Sequence, residues 1–96
     1  MSRTIWKFEF AVADEVAVKM PWGAKVLSVG LQRPRHICLW AVVDPEQKPV
    51  DYIVHVRGTG HPLREARPDR FLGTVCDGPF VWHVFADEAK GPESRI

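Results

Sequence analysis

The chain has 96 residues, a hydrophobic fraction of 46% and a net charge of +1 from 13 basic and 12 acidic residues. That length fits one domain, 1–96, with one modest core, since a chain this short buries roughly 60–65% of the surface its unfolded form exposes. The composition argues against disorder, the near-neutral charge against a broad nucleic-acid footprint, and no apolar run approaches the roughly 20 residues that span a bilayer.

The first run, "TIWKFEFAV", alternates Trp6, Phe8 and Phe10 with Lys7 and Glu9, the pattern of a half-buried strand with an aromatic inner face. "VAVKM" alternates again, with Val16, Val18 and Met20 on one face. The short "ADE" between the two runs predicts a hairpin. "PWGA" is a tight connection, because Pro21 cannot extend a central ladder and Gly23 accepts backbone angles that side chains resist. "KVLSVGLQ" is the third strand and "RPR" the turn after it. "HICLWAVVD" is apolar on both faces from Ile37 to Val43, which marks a central strand.

After the solvent loop "PEQKP" comes "VDYIVHVRG", in which Tyr52, Val54 and Val56 oppose Ile53, His55 and Arg57. Thr59–Asp69 reads as a charged loop in which "LREAR" could form one helical turn. "RFLGTVC" and "FVWHVFAD" are the last two strands, joined by the turn "DGP". The tail from about residue 87 to 96, "EAKGPESRI" at its end, reads as frayed. Seven short strands without a long helix predict an all-β antiparallel sandwich or partly open barrel. Parallel βαβ units are ruled out because their crossovers need more chain.

One stretch and three scattered sets of residues carry the candidate chemistry. "GTGHP", Gly58–Pro62, lacks the lysine and following helix of a phosphate loop, so Gly58 and Gly60 read as a bend and Thr59 as a local hydroxyl-to-backbone bond. His61 between Gly60 and Pro62 becomes catalytic only if a partner such as Asp69, Asp77 or Thr74 reaches it. The four histidines show no close-spaced ligand pair, and the metal alternative needs His55, His83 and Cys76 on one face. Arg57, Arg64, Arg67 and Arg70 are the basic residues that a single-stranded nucleic-acid site would have to gather into one patch. Of the tryptophans, Trp6, Trp40 and Trp82 read as core, whereas Trp22 in its turn either folds over the core edge or faces a partner. No cofactor is implied. Without a secretory leader, Cys38 and Cys76 are expected as reduced, buried thiols in a cytoplasmic protein.

The ordered set "TIWKFEF", "MPWGAKVLSV", "LWAVVDP", "GTGHP", "FLGTV" and "WHVF", spanning Thr4 to Phe85, resembles a family of short uncharacterised proteins of bacteria and their phages or prophages. The resemblance implies no catalytic or ligand-binding residue. The expectation is a protein-binding or assembly module, with a protein partner or a homo-oligomer because a small sheet must manage its edges. Its binding residues are Trp22, Gly58, Thr59, Gly60, His61, Arg64 and Arg67. A small hydrolase-like or metal-dependent enzyme using His61 and a nucleic-acid-binding barrel are the alternatives.

Overall fold

The computed structural model describes residues 2–87; the expected fraying of the tail falls almost wholly outside them. Seven strands form in the predicted places: β1 (Thr4–Ala11), β2 (Glu15–Pro21), β3 (Lys25–Arg33), β4 (His36–Val43), β5 (Pro49–Gly58), β6 (Phe71–Asp77) and β7 (Phe80–Ala86). All pair antiparallel, in a three-stranded sheet β1-β4-β3 and a four-stranded sheet β2-β5-β7-β6. Neither sheet closes on itself, so the fold is an open all-β sandwich.

The core lies between the sheets. Ile37, Leu39, Ala41 and Val43 from one sheet meet Val18, Met20, Val54, Val56, Val75 and Val84 from the other. Period-two alternation explains the set, since every second side chain of each strand points the same way. β4 is central, as its two apolar faces require, and its outward Cys38 is fully buried without a third layer. Two polar pairs span from β1 to β3 across that face: Lys7 Nζ donates to Gln32 Oε1 at 2.7 Å and Arg33 Nε to Glu9 Oε2 at 2.9 Å. Cys38 and Cys76 are both free; Cys38 is buried as expected, but Cys76 is exposed, because it alternates with the buried Val75 and Asp77 on the edge strand β6. A thiol reagent should therefore titrate Cys76 in the native protein and Cys38 only after denaturant is added; simultaneous reaction of both would contradict this burial.

Three further expectations are corrected. β1 and β2 do not form a hairpin: β1 pairs with β4 and β2 with β5. Residues 12–14 instead carry the chain from one sheet to the other, Val12 N–H donating to Arg35 O at 2.9 Å while Asp14 O accepts from Val56 N–H at 3.1 Å. Each end of the crossing thus satisfies a different sheet. Trp6 and Trp40 are not core residues. Trp6 shares the inward face of β1 but is 42% exposed, because β1 is an edge and its outer flank is unpaired among the described residues. Trp40 lies on the outward face of β4, half-buried over Gly30, where a Cβ would sit 3.0 Å from its ring. The helical turn falls at Pro68–Arg70 rather than within "LREAR", where Arg64 takes a φ of 52°, incompatible with a right-handed helix.

The "PWGA" connection is as tight as expected. Ala24 N–H donates to Pro21 O at 3.1 Å, Gly23 has a φ of 87°, and the Tyr52 hydroxyl donates to Pro21 O at 3.1 Å while accepting from Ala24 N–H at 3.0 Å.

Candidate functional site

One end of the sandwich gathers the 12–14 crossing, the β3–β4 turn, the loop after β5 and the β6–β7 turn. "GTGHP" sits there and wraps the sheet edge. His61 N–H donates to Gly58 O at 3.0 Å, closing a turn whose Gly60 has a φ of 89°. The His61 ring lies directly over Gly58: a Cβ at that position would sit 3.0 Å from its Cε1 and Nδ1. Thr59 bonds a side chain rather than the local backbone. Its Oγ1 is 2.7 Å from His83 Nε2, and Thr74 Oγ1 is 3.1 Å from His83 Nδ1. Both imidazole nitrogens of His83 are thus engaged by hydroxyls, which pins the loop to β6 and β7.

Arg57 supplies the second anchor. Its side chain is buried, and its Nε donates to Leu63 O at 2.9 Å while Nη1 donates to Asp14 O at 2.8 Å and Val56 O at 3.1 Å. Glu65 lies 3.6 Å from Nη2. A guanidinium whose donors meet backbone carbonyls is a brace between loop and crossing, and it is withdrawn from solvent.

Between these anchors runs a cleft of about 440 Å³ lined by Val12, Asp14, Arg57, His61, Arg64 and Trp82, among others. A second hollow of about 300 Å³ opens on the other side of His61 and Trp82, toward Thr59, Phe80 and Val81. Phe80 stacks on Trp82 with ring centroids 5.3 Å apart, and the Arg35 guanidinium lies 4.7 Å from the Phe80 centroid. Trp82, read as core from its alternation, does pack against the core but is only half-buried, and it lines both hollows.

Beneath the aromatic pair, Asp77 is 2% exposed. Its carboxylate accepts from Trp82 Nε1 at 3.1 Å, from the Arg35 guanidinium at 2.9 Å and from Arg35 N–H at 3.1 Å. The Trp82 indole N–H, then the two Arg35 donors, hold this carboxyl below the usual range against the opposing effect of desolvation. The sequence marked Asp77 only as a turn residue and a partner for His61. No local signal announces its bond to Arg35, 42 positions away.

The expected site residues divide. Gly58, Thr59, Gly60, His61 and Arg64 share this end of the fold. Trp22 does not: β2 ends where β5 begins, so Trp22 and "GTGHP" lie at opposite ends of a ten-residue strand, roughly 30 Å apart. Trp22 is 38% exposed and borders a separate hollow with Tyr52, Arg70, Leu72 and Asp87. The arginines divide likewise. Arg57 is buried, Arg67 pairs with Asp69 at 2.8 Å, and Arg70 lies beside Trp22, so the set does not form one patch.

Among the described residues, no hydrogen bond joins the His61 ring to a carboxylate; Asp69, Asp77 and Thr74 are engaged by Arg67, Arg35 with Trp82, and His83 respectively. His55 is buried, with Nε2 3.3 Å from Asp87 Oδ2 and no partner at Nδ1. Among the described residues no three His, Cys, Asp or Glu side chains converge as a metal-ion site, and no helix is long and apolar enough to cross a membrane.

Fold and site together define a small all-β domain of the open-sandwich class, with a loop-walled aromatic cleft at one end. The chain belongs to the family described as Domain of unknown function (DUF7352), whose model matches residues 1–95. No curated protein and no solved structure matches the chain.

Proposed function

We propose that this protein is a non-catalytic binding module that receives a short segment of a partner protein in the cleft beside "GTGHP". The observation that carries this reading is the pair of hollows flanking His61, with Trp82 lining both and Phe80, stacked on Trp82, lining the second. A rigid aromatic surface offers large contact area at low entropic cost, the usual anchor of a protein interface. The walls are held in place before any ligand arrives, by Arg57 on one side and by Thr59–His83–Thr74 on the other. Such preorganisation reduces the ordering cost of binding. In the same reading the protein works in the cytoplasm of a bacterium or its phage-infected host, an assignment supported by the resemblance of the six ordered sequence stretches.

The test is selection from a random peptide library on the purified protein. Enriched peptides should share an apolar or aromatic anchor, bind with micromolar Kd, and weaken at least about tenfold against His61→Ala or Phe80→Ala. Both residues are exposed, so circular dichroism should show each variant folded. Absence of enrichment, or binding indifferent to both substitutions, would sink the proposal.

A further inference from the structure

The two sheets are not equally open at their edges. At β3 and β6 they approach so closely that a Cβ on Gly73 would lie 2.6 Å from Val29 Cγ2. β1 and β2 are the edges left on the opposite side, and among the described residues no strand pairs with either on its outer flank. An unpaired strand offers a row of free N–H and C=O groups to another chain.

β2 is blunted against such pairing. It ends in Pro21, its inward Val18 and Met20 are already buried, and Lys19 is neutralised by Asp51 at 2.9 Å. β1 is blunted less, although its Glu9 is already paired with Arg33 at 2.9 Å and its Lys7 donates to Gln32 at 2.7 Å. It contains no proline and leaves apolar side chains exposed, Ile5 on the outward face and Trp6 on the inward one. Its charges are self-complementary: on the outward face Lys7 and Glu9 stand symmetrically about the position of Phe8. When two copies of β1 run antiparallel about Phe8, Lys7 of each copy faces Glu9 of the other. The same register sets Trp6 opposite Phe10 on the inward face.

We propose that β1 is a homodimer edge, joining two copies of this chain in antiparallel register about Phe8 into a continuous six-stranded sheet β3-β4-β1-β1-β4-β3. The Lys7–Glu9 complementarity chooses a second copy over an unrelated strand, because the pattern is satisfied by itself inverted. Like charges placed directly opposite across strands are destabilising and unlike charges stabilising. The two-fold axis makes each pair occur twice, so one charge reversal turns two attractions into two repulsions. This edge is distinct from the His61 cleft, and the inference does not rest on the cleft's proposed role.

The experiment is sedimentation equilibrium over a concentration series. The wild type should be a dimer. Lys7→Glu alone and Glu9→Lys alone should each weaken association by about tenfold. The double variant Lys7→Glu/Glu9→Lys should regain most of the loss, since each reversed charge again faces its opposite. The intramolecular pair with Arg33 predicts the opposite, because within one chain the double reversal replaces the anion beside Arg33 with a second cation. Glu15→Lys on β2 and His61→Ala in the cleft should leave the mass unchanged. A wild type that is monomeric throughout the series would overturn the proposal, as would a double variant no better than the singles, or a dimer broken by Glu15→Lys but not by Lys7→Glu.

Discussion

Asp77→Ala should lower the thermal unfolding midpoint by roughly 10 °C. The substitution removes the acceptor of three hydrogen bonds at once and leaves the Trp82 indole N–H and the Arg35 backbone N–H without a partner at the mouth of the sandwich. Buried donors left unmatched cost more than the bonds contributed. Arg35 has a φ of 62°, an unfavourable conformation for a residue with a Cβ, and Asp77 is what holds its backbone N–H there. Asp77→Asn separates shape from charge. Because the folded-state pKa is depressed, the carboxylate's stabilisation is complete above the ordinary value of about 4 and is lost as pH falls through the lower folded value. The midpoint of the wild type should therefore exceed that of Asp77→Asn near neutral pH and converge on it in acid. Melting both proteins between about pH 7 and pH 2 checks this. Curves that stay parallel across that range would show that the charge at Asp77 contributes nothing to the fold.

The case of Asp77 also shows where reading the sequence succeeds and where it stops. Alternation located β1, β2, β5 and β7, because a strand with one face in the core repeats every second residue whatever its partner, and the runs between turn signals located the others. The continuous apolar run of β4 likewise marked it as the centre of a sheet. Pairing was less accessible. "ADE" looks like a local turn, yet the partner of β1 is β4, and the chain at 12–14 crosses between sheets. Nothing in the local sequence distinguishes the two outcomes, since both place the same side chains inward. The candidate site was half legible. "GTGHP" marked the loop through its glycines and proline, and His61 does line the cleft. The residues that hold the loop were not visible. Arg57 read as one member of a basic patch, and Thr59, Thr74 and His83 come from three separate segments that meet only once β5, β6 and β7 are paired. Trp22 failed as a site member for the opposite reason. An antiparallel partner carries a strand's end to the far side of the sheet, so nearness of type in the sequence says nothing of nearness in space.

Gly73→Ala should destabilise the fold by about 1–3 kcal/mol, the usual cost of forcing an extra methyl into a closed contact. In a strand without neighbours the same change would be favourable by roughly 0.5–1 kcal/mol, because alanine loses less conformational freedom than glycine. The sign of the effect therefore reports on the contact itself: the added Cβ would meet Val29 Cγ2 at 2.6 Å, closer than two carbons can approach. Val29→Ala removes the opposing methyls. On its own it should also destabilise, through lost packing. Combined with Gly73→Ala it should cost less than the sum of the two, as expected for residues in direct contact. Urea unfolding of the four proteins measures the coupling. A stabilising Gly73→Ala, or strictly additive costs, would mean that β3 and β6 do not touch as described. The closeness there explains the asymmetry of the whole sandwich. With glycine on β6 the two sheets draw together along the β3–β6 side; along the other side β1 carries Trp6 and Phe8 on its inward face. The side that closes is the one where a residue has no side chain, and on the opposite side β1 remains available to another strand.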